Sequence, residues 1–151
     1  MKTALIILGV LFALVLALVA GGFGYLAYEG KQCDASSKAY VDESIPAIVS
    51  PWSKDELLKR ESPQLQEVAT DEALTKLFDK LSGLGQMKSY DGATGKANVH
   101  LTRAAKLRIT ADYTAQATFE KGKAQIKLQL IQSDGVWKID GFSFGPDASA
   151  K

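Results

Sequence analysis

The pattern of apolar and polar positions divides the chain into three parts. An uncharged N-terminal run is followed by a middle part whose apolar residues recur at helical spacing and a C-terminal part in which apolar and polar residues alternate. Residues 3–28 carry no charged side chain. As a helix they would be about 39 Å long at ~1.5 Å per residue, which exceeds a bilayer hydrocarbon core of ~30 Å. Aromatic residues, which favour the headgroup level, lie near the end of the run: Phe23, Tyr25 and Tyr28. The pattern predicts a transmembrane anchor over residues 1–28 that contacts the lipid bilayer through residues 3–28.

A cleaved signal sequence is the alternative interpretation of this run. Ala20 and Gly22 would present small residues to a signal peptidase, and loss of residues 1–22 would give a secreted domain. The apolar stretch is longer than the ~7 to 15 residues usual in a signal sequence, which favours a retained anchor. With the short N-terminus and its Lys2 inside, we predict a single-pass protein of the cell membrane whose C-terminal domain is periplasmic or extracellular.

Small residues recur every four positions along the predicted anchor, at Ala13, Ala17 and Gly21. Such a row lets two membrane helices approach closely, so it is a candidate for helix association in a homo-oligomer. The alternative is that alanine and glycine are simply frequent in membrane helices. Cys33, just beyond the anchor, is either an idle thiol or the site of a disulfide between two parallel anchors.

Three helices are predicted after the anchor. The clearest covers residues 71–84, where Leu and Phe residues fall at helical spacing. An earlier helix over residues 36–49 contains Pro46, which lacks a backbone donor and should kink or end the helix. A serine and a glutamate with capping-box spacing predict a short helix over residues 53–60.

The last third of the chain alternates with the period of β-strands. In residues 107–119 every odd position is apolar or aromatic and every even position is polar, which is typical of a long half-buried strand. The next run inverts this parity. A two-residue turn at Lys121 and Gly122 would bring the apolar residues of both strands to one face, with Phe119 opposite Ala124.

A second hairpin turn is predicted at residues 134–135, an Asp-Gly pair. In the strand that follows, the apolar residues Trp137 and Ile139 are at odd positions, whereas Phe142 and Phe144 are at even positions. One extra residue would return all four to the same face, so we predict a bulge near residues 140–141. Upstream, Gly92 and Gly95 indicate a bend or bulge in the first strand.

Helices followed by strands predict an α+β domain whose helices pack on one face of an antiparallel sheet of about four strands. This order of elements, together with residues 113–122 and 134–142, resembles the NTF2-like and cystatin-like superfamily, and more narrowly small bacterial membrane-anchored proteins of that fold. The resemblance covers residues 36–145, with a tether at 29–35 and a tail at 146–151. It implies a curved sheet wrapped over the helices, but no particular activity, because this fold carries many functions.

Charge and chemistry-bearing residues exclude several classes of function. Eighteen Lys and Arg residues against 17 Asp and Glu residues are scattered along the chain, so we expect no nucleic-acid partner. The single histidine, His100, lies on the polar side of its strand and cannot form a multi-histidine metal site. The sequence contains no evident acid–base pair, nucleophile motif or phosphate loop. We therefore expect neither an enzyme nor a bound cofactor.

Two binding functions remain. The first is a membrane-anchored interaction module that docks another envelope protein, or is a subunit of a membrane complex, through the polar outer face or an edge of the sheet. The second is an apolar-ligand module, in which Tyr113 is the one polar residue on the inner face, beside the small residues Ala111, Ala115 and Ala117. Those small residues leave room either for a ligand or for packed helix side chains.

Overall fold

The structure, a computed structural model, describes residues 2–104 and 106–146, without the side chains of residues 2–13, 20, 22–29 and 146. This part of the chain forms four α-helices followed by four β-strands. The helices are α1 (Lys2–Val49), α2 (Lys54–Arg60), α3 (Pro63–Val68) and α4 (Asp71–Ser82). The strands are β1 (Met87–Leu101), β2 (Leu107–Phe119), β3 (Gly122–Ser133) and β4 (Val136–Pro146). The predicted α+β class is confirmed, while residues 147–151 of the predicted tail lie outside the described residues.

The chain divides into two compact units, Met1–Cys33 and Asp34–Lys151. Because α1 is continuous across this boundary, residues 29–35 are helical rather than an irregular tether. Gly30 is the one poor helix former among them, at a cost of about 1 kcal/mol relative to alanine. Tertiary contacts that begin at Asp34 offset such a cost, and the sequence pattern does not show them.

The first unit contains the residues predicted for helix association. Ala17 and Gly21 are exposed, whereas the side chain of Ala13 lies outside the described residues. In the described part of the chain, no helix combines the length and the apolar composition needed to cross a membrane. Cys33 is buried, with 6% of its surface exposed, and this burial does not suit a disulfide to another chain.

Pro46 does not end α1, which continues to Val49. Burial holds the last turn, because Ile45, Ile48 and Val49 have no exposed surface. The backbone N–H of Ser50 also donates to the carbonyl oxygen of Pro46 at 3.0 Å. The sequence analysis predicts a kink or an end at Pro46 because proline has no backbone N–H to donate. Tertiary packing outweighs the loss of that hydrogen bond.

Hydroxyl side chains cap the three helices that follow α1. Ser53 Oγ accepts a hydrogen bond from the backbone N–H of Glu56 at 3.3 Å, which confirms the predicted start of α2. Ser62 Oγ accepts from the N–H of Leu65 at 3.0 Å and begins α3, a helix that the sequence analysis does not predict. Thr70 precedes α4, which confirms the clearest predicted helix.

The four strands form one antiparallel sheet in the order β1-β2-β3-β4. In the β2–β3 pair Ala117 lies opposite Ala124 and Phe119 opposite Gly122, with the turn at residues 120–121. The predicted register, with Phe119 opposite Ala124, is therefore wrong by two residues. The predicted inner face is nevertheless correct, because side-chain direction along a strand repeats every two residues.

The predicted bulge in β4 is confirmed. Gln129 pairs with Gly141 and Leu130 with Ile139, so Asp140 is the extra residue. The bulge brings four side chains to the inner face: Trp137, Ile139, Phe142 and Phe144. One inserted residue thus brings the apolar residues before and after the bulge to the same face of the sheet.

The two glycines that predict an irregular β1 have different roles. The register shifts between Tyr90 and Ala93, and Gly92 lies there with a φ of +87°, a conformation that favours glycine. Gly95 instead lies opposite Tyr113, and a Cβ atom at Gly95 would lie 2.8 Å from Cδ1 of that ring. That Cβ atom would also collide with the backbone carbonyl oxygen of Asp112, so Gly95 allows both the β2 backbone and the Tyr113 ring to lie close to β1 rather than bending the strand.

Two tryptophans close opposite ends of the core. The Trp52 ring stacks on Phe119 with centroids 5.0 Å apart, and its Nε1 donates to the carbonyl oxygen of Gly85 at 2.8 Å. Trp137 lies at the end with the β3–β4 turn, where its Nε1 donates to Ser36 Oγ at 3.0 Å. Trp137 is buried, whereas Trp52 is partly exposed.

Trp137→Ala should lower the free energy of unfolding by about 3 to 5 kcal/mol, the range for truncating a buried large aromatic side chain. Trp52→Ala should cost less, about 2 kcal/mol, because solvent already reaches part of that ring. Chemical denaturation of the two variants beside the parent protein measures both values. Equal losses would contradict this placement of the core.

Candidate functional site

Tyr113, the centre of the predicted ligand pocket, lies on the inner face of β2 with 3% of its surface exposed. Its hydroxyl lies 2.9 Å from Ser37 Oγ and donates to the carbonyl oxygen of Asp34 at 3.2 Å. Both partners belong to α1. The hydroxyl therefore has its hydrogen bonds within the protein, and it joins the helix to the sheet.

The small residues beside Tyr113 are also buried: Ala111, Ala115 and Ala117. Four surface grooves are lined by described residues, and none of these alanines lines any of the four. Small side chains let a helix approach the sheet closely, so the burial favours a packed core. The apolar pocket remains a prediction that no described cavity supports.

The outer face of the sheet is polar and exposed. Its exposed side chains include Asp91, Thr94, Lys96, His100, Arg108, Asp112, Lys123, Lys127, Gln129 and Ser143. Three helix or turn side chains reach the opposite face, in the pairs Ser37 with Tyr113, Trp52 with Phe119 and Phe78 with Phe142. Among the described residues, the outer face is a sheet surface without a covering helix.

A groove of about 330 Å³ opens on the outer face beside the β4 bulge. Gly141 leaves the space for it, because a Cβ atom there would lie 2.7 Å from Oε1 of Gln129. Gln129 Nε2 donates to Oδ1 of Asp112 at 3.3 Å. Lys127 and Ser143 contribute to the walls. The groove therefore presents a carboxylate, an amide, an ammonium group and a hydroxyl within one depression.

These groups suit recognition through hydrogen bonds and charge. The alternation of Thr, Gln and Lys in β2 and β3 predicts a polar outer face, and the structure has one. The groove itself is missing from the sequence analysis. It depends on Gly141 lying opposite Gln129, and only the register after the bulge brings these two residues together.

Two carboxylates of α1 cover part of the edge of β1. Asp34 Oδ1 accepts a hydrogen bond from the backbone N–H of Ala97 at 2.6 Å. Asp42 accepts from the hydroxyl of Tyr90 at 2.8 Å and from Nζ of Lys38 at 2.6 Å. An uncovered edge strand can pair with another chain, so these contacts make β1 less available for pairing.

The environment of Asp42 and Tyr90 moves the pKa values of the two side chains further apart. Partial burial acts to raise the pKa of Asp42, but hydrogen bonds from Lys38 and Tyr90 outweigh it and hold that pKa below its usual value. Burial, and then the hydrogen bond and charge of Asp42, raise the pKa of Tyr90. Near neutral pH the pair is thus a carboxylate acceptor and a neutral phenol donor.

Glu61 is a buried carboxylate that the sequence analysis does not identify. It is 7% exposed, and its Oε2 has no hydrogen-bond partner in the described structure. Glu61 forms an isolated bridge with Ile139, and the adjacent Ser62 donates to Oδ1 of Asp140 at 2.6 Å. It therefore lies where the α2–α3 junction covers the edge of β4, and it lines none of the four grooves.

His100 and the acidic residues form no metal site in the described structure. His100 is exposed on β1 opposite Arg108. Within the described ranges, no three side chains of His, Cys, Asp or Glu gather as a ligand set.

Comparisons with protein-family models, with curated proteins and with solved structures find no match for this chain. No known active site or interface can therefore be mapped onto the sheet. The function is inferred from the outer face, its groove and the uncharged N-terminal run.

The hydrogen bonds that Asp42 accepts should make the stability of the folded protein depend on pH. Because the folded-state pKa of Asp42 is lowered, its stabilising contribution is present above the ordinary carboxyl pKa and is lost as pH falls through the folded-state value. Asp42→Asn should therefore be clearly less stable than the parent at pH 7, and the difference should shrink below about pH 4. Thermal unfolding across this pH range measures it, with Tyr90→Phe as a partial control. A difference that is constant with pH would contradict the assignment.

Proposed function

We propose that this protein is a non-catalytic, membrane-anchored interaction module whose outer sheet face docks another envelope protein, or through which it serves as a subunit of a membrane complex. The observation that carries the proposal is the exposed polar face with its groove at Gly141. We also propose that the domain is a member of the NTF2-like and cystatin-like superfamily. The support is the order of elements, with helices preceding a four-stranded antiparallel sheet.

The proposed anchor is residues 1–28, with the second unit on the periplasmic or extracellular side. Its support is the uncharged run of residues 3–28, which is long enough to span a hydrocarbon core. The anchor would hold the outer face close to other membrane proteins. That restriction raises the effective concentration of a membrane-bound partner, so even a modest contact area can give a stable complex.

The anchor makes the protein fractionate with membranes and keep its N-terminal residues. Intact-mass measurement of protein extracted from membranes should give the full-length mass. A mature chain that begins near Phe23 would contradict the anchor and indicate a secreted domain.

The charge of the outer face indicates the chemistry of the partner. The exposed ammonium groups of this face, Lys96, Lys123 and Lys127, outnumber the two carboxylates that line its grooves, Asp91 and Asp112. A partner surface that carries carboxylates and other acceptors complements this pattern. The Asp112 and Gln129 pair can orient a partner through directional hydrogen bonds, because it offers both acceptor and donor atoms at the floor of the groove.

A photo-crosslinking amino acid in place of Ser143, at the wall of the groove, tests this docking in intact membranes. We expect one adduct of defined mass. The same amino acid in place of Gln66, which is exposed on α3, is the matched control and should give none. Adducts from both positions, or from neither, would contradict docking through the outer face.

Two substitutions make the test specific to the groove. Gly141→Thr should reduce the adduct several-fold, because its side chain fills the groove and has only the flexible end of Gln129 to displace. Lys127→Glu should reduce it by reversing the charge of one wall. Thermal unfolding should be little changed in both variants. An adduct that persists in both would show that the partner binds elsewhere.

A further inference from the structure

Three exposed apolar side chains lie at one end of the sheet in the second unit. Leu101 is 71% exposed, Leu107 is 62% exposed and Val136 is 56% exposed. Leu101 and Leu107 are paired where β1 turns into β2, and Val136 begins β4 after the β3–β4 turn. We call these three residues the apolar tip, and the end of the sheet that carries both turns the hairpin end.

Basic residues surround the apolar tip. Arg103, Lys106 and Arg108 are exposed in or beside the β1–β2 turn, and Lys138 lies beyond Val136. Leu107 and Arg108 of β2 and Lys138 of β4 line one groove of about 350 Å³, so residues of both hairpins meet near this end of the sheet. The acidic residues described at this end are Asp134, in the β3–β4 turn, and Asp34, on α1. The surface therefore combines projecting apolar side chains with an excess of positive charge.

The chain enters the second unit at this same end. Asp34, the first residue of the unit, binds Ala97, four residues before Leu101, whereas Asp42 binds Tyr90 towards the opposite end. The neighbouring Ser36 binds Trp137, which follows Val136. The direction of α1 within this unit is thus set by contacts at both ends.

The reach of the chain limits how far the entry point can lie from a membrane. Six residue-to-residue steps lead from Tyr28, the last of the uncharged run, to Asp34. Even fully extended they span about 20 Å. Whatever the arrangement of the two units, an anchor over residues 1–28 keeps the entry to the second unit within that distance of the bilayer surface.

We infer that the hairpin end is a membrane-contacting surface, in which the apolar tip enters the headgroup region of a bilayer that contains anionic lipids. Exposed leucine and valine side chains favour the boundary between headgroups and acyl chains. The surrounding Arg and Lys residues are attracted to lipid phosphates, and salt weakens this attraction. The inference rests on the proposed anchor, and it adds a second contact that orients the outer face of the sheet relative to the membrane.

The test uses the full chain reconstituted in vesicles of phosphatidylcholine with phosphatidylglycerol. An environment-sensitive fluorescent amino acid replaces Ala104 in the β1–β2 turn or, as the control, Lys121 in the β2–β3 turn at the opposite end. Brominated lipids should quench the fluorophore at position 104 and leave the one at position 121 unquenched. Added salt, or vesicles without phosphatidylglycerol, should weaken quenching at position 104.

Substitutions test whether the quenching depends on the apolar tip. Leu101→Asp with Leu107→Asp should reduce quenching at position 104 to the level at position 121, while the protein still floats with the vesicles. Val68→Asp, a substitution of an equally exposed apolar residue on α3, should leave quenching unchanged. Both leucines are largely exposed, so the fold should persist, and circular dichroism checks this.

The outcomes separate the inference from the anchor. Flotation with quenching at position 104 supports both. Flotation without quenching overturns the membrane contact of the hairpin end and leaves the anchor in place. Absence of flotation overturns the anchor and, with it, the inference that rests on it.

Discussion

Polar contacts between α1 and the sheet determine how the second unit is assembled. Asp34 and Asp42 accept hydrogen bonds from β1, while Ser37 and Ser36 bind the aromatic residues Tyr113 and Trp137. Consecutive residues of an α-helix differ by about 100° in direction, so sliding the helix by one residue would leave these groups unpaired. A buried polar group without a partner costs about 1 to 3 kcal/mol. The contacts thus select one register of the helix on the sheet, which apolar packing alone does not specify.

Small residues alternate with Tyr113 on the inner face of β2. Ala111, Ala115 and Ala117 leave the inner face of β2 shallow, and Gly95 makes space for the ring of Tyr113. Close packing fills the space that a ligand would need. The buried inner face therefore contributes to stability, and the proposed binding surfaces of the second unit are its outer face and its hairpin end.

One inserted residue contributes to both the core and the candidate site. Asp140 shifts the parity of β4, so that Phe142 reaches the inner face and stacks on Phe78. The same shift places Gly141 opposite Gln129 on the outer face, where its missing side chain opens the groove. A bulge commonly re-aims side chains in this way. Here the proposed recognition surface depends on the same backbone irregularity as the packing.

The sequence by itself determined the α+β class, the inner and outer faces of β2 and β3 and the bulge in β4. These features follow from local periodicity, because side-chain direction repeats every two residues in a strand and about every 3.6 in a helix. Periodicity does not distinguish a register from one shifted by two residues, so only the assembled sheet decided that Phe119 lies opposite Gly122. Tertiary packing also carried α1 past Pro46, since burial of the last turn outweighs a missing backbone donor. The groove at Gly141 and the partners of Tyr113 join residues far apart in the chain, and no local pattern encodes which distant residues will meet.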